Sequence, residues 1–337
     1  MAKKIFAIIG ATGKQGGSVA NAFLNDPSYQ LRIITRNVNG ASAEEWTAKG
    51  VEVVQADLDD VQSLKSAFAG AQVIYAMTDF WGPMGNEQNH EKATEQGISI
   101  CEFCYNLEVQ RGKNLAIAAE STYQSIDRYV YSSLSDARTL SKGKYTHIWH
   151  FDSKALVERF IRSAPEMKNL APKSSFIQIG QYLDGYKSAG PLSITKDEKT
   201  GKYFQCGVGN GDRKLPLIWT TKDTGTLVKG LINSKAGQTM IGYSQRLTPR
   251  EFMQIWAKTL GVELLNGGFK PLTRQEFYDV MEPAFLKEHF ADALAYFDEF
   301  GYDGGDPKII TPHDLGIQDT LTPVEEFIKH EDWSSIL

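Results

Sequence analysis

The feature that most constrains this chain is a glycine pattern that follows an apolar run near the first residue. Residues 5–9 are consecutive apolar residues, and Gly10, Gly13 and Gly16 follow at three-residue spacing. Such a run ended by glycine predicts a strand buried on both faces, as in a parallel sheet, and a helix is predicted directly after the glycines. A strand, a glycine-rich turn and a helix in this order are typical of a dinucleotide-binding loop.

Each glycine has a separate predicted role. Gly10 allows the tight turn, Gly13 lets backbone amides approach a pyrophosphate, and Gly16 lets the helix pack against the strand. Free amides and the positive end of the helix dipole would then face the phosphates. The alternative is a glycine-rich turn that binds nothing. A mononucleotide P-loop is excluded, because no Gly-x-x-x-x-Gly-Lys-Ser/Thr can be written through these residues.

Composition excludes several other classes of protein. The 337 residues contain 36 Lys and Arg against 41 Asp and Glu, a net charge of −5, so no overall basic field attracts nucleic acid. No apolar run approaches the roughly 20 residues that span a bilayer. The first residues pass straight into a strand and leave no room for a signal peptide. We therefore expect a cytoplasmic protein without nucleic-acid or membrane partners.

The cysteines predict no metal site. Cys101, Cys104 and Cys206 are too few for a disulfide framework, which indicates a reducing compartment. The first two form a C-x-x-C, but a zinc site needs two further ligands at matching spacing and none is apparent. Two buried thiols one helical turn apart are expected, with a redox pair as the alternative.

Alternating strands and helices predict a doubly wound parallel sheet of the Rossmann type with right-handed crossovers. Strands are predicted at residues 31–35, 51–55, 71–77, 128–133 and 175–180, and helices at 42–49, 61–68 and 147–161. The helical region from Asn89 to Gln124 is longer than one crossover needs. We expect a break or an inserted excursion before Leu107, with Gly97 and Gly112 as interruptions.

The alternation lapses in the second half, which predicts a smaller α+β lobe interleaved with the sheet. Residues 201–211 predict a short hairpin. A helix at 221–231 and a strand at 238–242 are expected to return to the main sheet, as part of a segment near 215–245. The predicted division is a nucleotide-binding domain at 1–185 and a substrate-side lobe at 186–337.

The residue after the second strand indicates the cofactor. NAD sites place an acidic residue there to bind the ribose 2′-hydroxyl, whereas Arg36 pairs with a 2′-phosphate. NADP(H) is therefore predicted, with Lys14 as a possible second cation. Asp57, after the third strand, is placed to accept from the adenine amino group, and Asp59 or Asp60 to cap the next helix.

Several side chains are expected at the carboxyl edge of the sheet, where ligands bind in open α/β folds. Phe80 and Trp81 follow the fourth strand and would cover the nicotinamide or substrate, or equally plug the end of the core. Tyr182 follows the sixth strand. His150 and Lys154 are four residues apart and share one helix face.

Six motifs together resemble the NmrA-like family of atypical short-chain dehydrogenases/reductases. They are residues 10–17 (GATGKQGG), 35–36 (TR), 78–81 (TDFW), 110–113 (QRGK), 131–133 (YSS) and 150–154 (HFDSK). The resemblance covers most of the chain and implies an NADP(H)-binding Rossmann domain with a small C-terminal lobe. The family contains reductases and also NADP-sensing regulators of transcription factors.

One position departs from the Tyr-x-x-x-Lys motif of ordinary short-chain dehydrogenases. In that motif the tyrosine gives a proton to a carbonyl, and the lysine lowers the tyrosine pKa and holds the nicotinamide ribose. Lys154 is present, but His150 stands where the tyrosine would be. A histidine exchanges protons near neutral pH, and some reductases that resemble this chain work with the lysine alone.

Two functions therefore stay open. The first is an NADPH-dependent reductase of a carbonyl or conjugated small molecule, and the second is a catalytically silent NADP(H) sensor that binds a protein partner. The expected catalytic residues are Lys154, His150 and Ser133. The expected cofactor-binding residues are Gly10, Thr12, Gly13, Lys14, Gln15, Gly16, Arg36, Asp57, Leu58, Thr78, Phe80, Ser132, Lys154 and Tyr182.

Overall fold

The computed structural model describes residues 2–187 and 193–337. The strands are β1 Lys4–Ile9, β2 Tyr29–Thr35, β3 Glu52–Gln55, β4 Val73–Ala76, β5 Arg128–Ser133, β6 Ser174–Ile179, β7 Gln181–Tyr182, β8 Ile194–Lys196, β9 Tyr203–Val208, β10 Leu215–Ile218, β11 Thr239–Gly242, β12 Gln245–Leu247 and β13 Leu264–Leu272. The α-helices are α1 Lys14–Phe23, α2 Ala41–Ala48, α3 Val61–Phe68, α4 Glu87–Glu95, α5 Ile100–Ser121, α6 Ala137–Leu140, α7 Trp149–Ser163, α8 Thr220–Asn233, α9 Pro249–Leu260, α10 Arg274–Val280, α11 Lys287–Phe300 and α12 Val324–His330.

The main sheet has seven strands in the order β11-β6-β5-β4-β1-β2-β3, and every neighbouring pair is parallel. Apolar side chains of α1, α2 and α8 pack on one face, and those of α3, α5 and α7 pack on the other. The central strand β4 is apolar and buried throughout because both faces of the sheet are covered. The predicted doubly wound Rossmann fold is confirmed.

Two small sheets, in the orders β12-β10-β7 and β13-β9-β8, form the C-terminal lobe together with α9 to α12. Its core contains many aromatic side chains, of which Trp256, Phe252 and Tyr296 are fully buried. Phe151 of α7 belongs to the same core, so the lobe packs on the main domain. In the segment near 215–245, β11 pairs parallel with β6, and apolar side chains of α8 pack on the main sheet.

The prediction of a hairpin within residues 201–211 is wrong. Tyr203–Val208 is one continuous strand, β9, which pairs antiparallel with β8 and parallel with β13. Gly207 does not mark a turn, since a Cβ there would lie 2.9 Å from the Phe269 ring. This glycine is needed for close packing of a side chain, which the sequence pattern did not distinguish from a turn.

The long helical region breaks once before Leu107, as predicted, and continues through the second glycine. Gly97 adopts a left-handed φ of 67° between α4 and α5, and Ser99 caps α5 by accepting from the Glu102 amide at 3.1 Å. Gly112 lies inside α5 and does not interrupt it, which corrects the second part of the prediction. A Cβ at this position would lie 2.4 Å from Val157 Cγ2 of α7, so Gly112 lets the two helices meet.

No described helix is both long enough and apolar enough to cross a membrane.

Candidate functional site

A cavity of about 790 Å³ opens at the carboxyl ends of the main-sheet strands, where the strand order reverses between β1 and β4. This is where open α/β sheets bind ligands, and the volume lies within the range of about 300–1,000 Å³ common for cofactor and small-molecule sites. The predicted residues that line it are Gly10, Thr12, Gly13, Lys14, Gln15, Arg36, Leu58, Thr78, Phe80, Ser132, Ser133, His150, Lys154 and Tyr182. Gly16 and Asp57 are absent from its lining.

The glycine loop presents a bare helix N-terminus to the cavity. Gly10 has a φ of 75°, and Gly13 is the N-cap of α1, which receives no side-chain hydrogen bond there and has no acidic residue in its first turn. Gly16 packs against the loop from behind, since a Cβ there would lie 2.4 Å from the Gly10 carbonyl. The first amides of α1 are therefore free of side-chain caps and suit an anion.

Gln15 ties this loop to neighbouring strands. Its Oε1 accepts from Tyr75 Oη at 2.7 Å and from Ser132 Oγ at 2.8 Å, and its Nε2 donates to Tyr182 Oη. Burial raises the pKa of Tyr182 to about 12. The predicted residues Gln15, Ser132 and Tyr182 thus form one hydrogen-bonded set that fixes the cavity wall.

The two predicted cations lie in different settings. Lys14 forms an ion pair with Asp184, which follows β7 and also lines the cavity. Arg36 is exposed at the end of β2. Its backbone carbonyl accepts from Gln55 Nε2 at 3.1 Å, which fixes the turn that carries the guanidinium.

The acidic residues after β3 have separate structural roles. The Asp57 carboxylate accepts from the Asp59 amide at 3.0 Å and stabilises the turn. Asp60 caps α3 by accepting from the Gln62 amide at 2.9 Å. Asp59 makes two hydrogen bonds with Arg111, which lower the pKa of its carboxyl.

Lys154 is held by a buried carboxylate that the sequence analysis missed. Its ammonium donates to Thr78 O at 2.9 Å, to Thr78 Oγ1 at 3.1 Å and to Glu108 Oε1. Glu108 also accepts from Thr78 Oγ1 at 2.8 Å and from Ser153 Oγ. The side chain of Lys154 is 12% exposed, whereas that of Glu108 is fully buried.

His150 lies against an aromatic wall. Its ring centroid is 4.7 Å from that of His289 on α11 and 5.1 Å from that of Trp81. Phe80 stacks on His289 at 5.6 Å, and Trp81 stacks on Phe290 at 5.7 Å. Phe80 is buried and Trp81 is 41% exposed, so the pair both seals the core and borders the cavity.

Burial keeps both histidines neutral. It lowers the pKa of His150 well below its usual value, and His289 and Lys154 add to this effect. It also lowers the pKa of His289 to about 3. Among the described residues, His150 Nδ1 is buried and has no hydrogen-bond partner. A neutral imidazole still offers one donor and one acceptor.

The Ser133 hydroxyl faces backbone atoms. It donates to the Leu134 carbonyl at 3.3 Å and to the Lys154 carbonyl at 3.5 Å. Ser133 therefore supports the position of Lys154 through the backbone of α7. His147 precedes α7 and lies outside the cavity lining, where its ring Nδ1 donates to Asp292 Oδ2 at 3.0 Å.

Glu108 and Asp184 are the ionic residues that sequence reasoning missed. Glu108 interrupts a run of buried positions on one face of α5 that includes Cys104 and Leu115. Glu108 lies four residues after the buried Cys104, on the apolar face of the helix, and a charged residue at such a position could have been recognised from the sequence as a candidate for a buried ion pair. Asp184 carried no such signal, because the partner that defines its role is 170 positions away in the sequence.

Within the described parts of the chain, no group of three or more His, Cys, Asp or Glu residues could hold a metal ion. Cys101 and Cys104 are free and buried. Burial raises the pKa of these thiols to about 12 and about 11, so both are protonated at neutral pH.

A family model described as the NmrA-like family matches residues 2–328. The chain belongs to this family. It is 27% identical over 285 residues to the NmrA-like family domain-containing oxidoreductase hkm9 of Aspergillus hancockii, a match that covers 82% of this chain and 77% of the relative. The resemblance predicted from the six sequence motifs is confirmed.

Solved structures of related proteins have the same fold. NmrA, a negative transcriptional regulator in complex with NADP, aligns with a TM-score of 0.73 at 19% identity over 98% of this chain and 95% of NmrA. NmrA was also solved in complex with NAD. The triphenylmethane reductase of Citrobacter sp. complexed with NADP(H) aligns with a TM-score of 0.64 at 20% identity over 96% of this chain and 99% of the reductase.

Proposed function

We propose that the protein is an NADPH-dependent reductase of a carbonyl or conjugated small molecule. The observation that carries this proposal is a single cavity whose lining runs from the glycine loop and Arg36 to Lys154, His150 and an aromatic wall. One end suits a dinucleotide, and the other has room and chemistry for a second molecule. The oxidoreductase relative and the NADP(H)-bound reductase of the same fold support this reading.

The residues present fit NADP(H). The uncapped start of α1 would hold the pyrophosphate. Gly10 makes room for the Met77 side chain, whose sulfur would lie 2.7 Å from a Cβ at Gly10. Arg36 would pair with the 2′-phosphate at the place where an NAD site has a carboxylate. Thr78 and Lys154 would contact the nicotinamide end.

When bound, NADPH supplies a hydride to an electrophilic carbon. Lys154 contributes a fixed cation where negative charge develops on the substrate oxygen, and neutral His150 donates a hydrogen bond from its ring N–H. The proton that completes the reduction is held at Lys154 Nζ or at that imidazole N–H. Phe80, Trp81 and Phe290 exclude water from the reacting atoms.

Oxidation of NADPH with a broad panel of aldehydes, ketones, enones and quinones tests the proposal. We expect turnover with at least one acceptor, and Lys154→Met to lower kcat by about 100-fold or more, in line with the loss of a positioned acid. Lys168→Met is the control, because this lysine is exposed and lies outside the cavity lining. A wild-type protein that binds NADPH but reduces no member of the panel would refute the reductase.

A catalytically silent NADP(H) sensor is the second candidate. The observation that favours it is that all three ammonium donors of Lys154 have acceptors within the protein, while His150 is neutral. A sensor responds only if cofactor binding favours one conformation, and therefore changes the affinity for a partner. Partner capture with and without NADPH tests it, and the sensor is abandoned if no partner shows a difference in affinity.

A further inference from the structure

We propose that Glu108 balances the charge of Lys154 at the nicotinamide end of the cavity and thereby sets the relative affinity for oxidised and reduced cofactor. The proposal rests on the proposed function in taking NADP(H) as the ligand of the cavity. It concerns binding, and it holds for a reductase and a sensor alike. Glu108 acts through Lys154 and is a positioning residue.

The first observation is the burial of the Glu108 carboxylate in the middle of α5. It is 1% exposed, and its partners are Thr78, Ser153 and Lys154. A buried carboxylate is strongly disfavoured unless it is paired and hydrogen bonded. Glu108 therefore depends on the Lys154 ammonium as its counter-charge.

The second observation is that Lys154 is held in one place. Its ammonium has three donors, and the acceptors are Glu108 Oε1 together with the carbonyl and hydroxyl of Thr78. Thr78 follows β4, directly beside the point where the strand order reverses. The cation thus borders the cavity as part of a neutral pair.

The third observation is the close contact of the two helices that carry this pair. Gly112 and Val157 lie one turn further along α5 and α7, and a Cβ on the glycine would be 2.4 Å from Val157 Cγ2. This approach is what brings Glu108 within reach of Lys154. The ion pair is a consequence of how α5 packs on α7.

Charge balance matters here because the two forms of the cofactor differ in charge at the nicotinamide. The oxidised ring carries a positive charge that the reduced ring lacks. A lone Lys154 cation would repel the oxidised ring, and Glu108 cancels that repulsion. Asp79, Arg36 and the Lys14–Asp184 pair also face the cavity, but their charges are the same in every variant below.

The test is the ratio of the Kd for NADP+ to the Kd for NADPH, measured by titration calorimetry. In Glu108→Gln the ratio is expected to rise about tenfold, the order of magnitude for one unit charge acting over several ångströms in a partly buried site. The double variant Glu108→Gln/Lys154→Met has neither charge and is expected to return the ratio to the wild-type value.

Glu120→Gln is the matched control. Glu120 lies on the same helix, accepts from the Leu170 amide at 2.7 Å, and is absent from the cavity lining. Its ratio is expected to equal that of the wild type. If Glu108 had a purely structural role, Glu108→Gln would lower the affinity for NADP+ and for NADPH equally and leave the ratio of the two Kd values unchanged.

A ratio within twofold of the wild type in Glu108→Gln overturns the inference. If Glu108→Gln does not fold, Glu108→Met removes the same charge and is measured in its place, with the same rise in the ratio expected. Absence of turnover in a protein that binds both forms refutes only the reductase. Failure of the wild type to bind either form refutes both proposals.

Discussion

Gly112→Ala tests whether the contact between α5 and α7 determines the geometry of the site. The added methyl group would lie 2.4 Å and 2.9 Å from the two Cγ atoms of Val157, and 3.1 Å from Tyr131 Oη. Val157 and Tyr131 are fully buried, so neither can move aside into solvent. The helices must separate, and separation also stretches the Glu108–Lys154 pair.

The expected magnitude follows from two opposing effects. Overpacking a buried contact costs about 1–3 kcal/mol, and such short distances favour the upper end. Alanine recovers about 1 kcal/mol of helix propensity relative to glycine. The net loss of unfolding free energy is therefore about 2 kcal/mol. Val157→Ala alone removes two methyl groups and costs about 2 kcal/mol.

The double variant distinguishes overpacking from other causes. When Val157 is alanine the added methyl has space, so Gly112→Ala is expected to be neutral or stabilising in that background. Urea unfolding of the four proteins, followed by circular dichroism, measures the cycle. Additive effects of the two substitutions, or a Gly112→Ala protein as stable as the wild type, would refute the reasoning.

Three further predictions concern the cofactor and the pH dependence of stability. In a thermal-shift assay, NADPH at about 100 times its Kd is expected to add roughly 2.7 kcal/mol to the stability of the wild type, and NADH is expected to add less. Arg36→Glu is expected to abolish this difference. Equal stabilisation of the wild type by the two cofactors would contradict the prediction. Gly16→Ala places a methyl group 2.4 Å from backbone atoms of Gly10, so the affinity for NADPH is expected to fall tenfold or more. Gly85→Ala is the control, because a methyl group there has nothing within 4 Å, and it is expected to bind NADPH as the wild type does. Burial raises the pKa of Asp152 from 3.8 to about 6. The stability contributed by the protonated Asp152 carboxyl is therefore complete below pH 3.8 and is lost as the pH rises to about 6, a loss on the order of 2 kcal/mol. Asp152→Asn is expected to remove this pH-dependent loss of stability. Parallel stability curves for the two proteins between pH 4 and pH 7 would contradict the last prediction.

The sequence predicted those parts of the fold that local patterns determine. The run of apolar residues at 5–9 with its glycines predicted β1 and α1 and the cavity beside them, because strand, turn and helix are adjacent in the chain. The prediction that Asp59 or Asp60 caps the next helix was also correct, since Asp60 caps α3. These signals act within a few residues.

The parts that failed depend on packing between distant segments. Gly112 and Gly207 resembled breaks, yet each makes room for a side chain from elsewhere, Val157 in one case and Phe269 in the other. Glu108 acquires its role only when α5 meets α7. A glycine gives the same local signal whether it turns the chain or accommodates a neighbour.

A crystal structure grown with excess NADP+ tests the central claim most directly. We expect the pyrophosphate on the first amides of α1, the 2′-phosphate on Arg36, and the nicotinamide beside Lys154 with open space toward His150. A cavity that stays empty at saturating NADP+, or that is filled by the protein's own side chains, would contradict it.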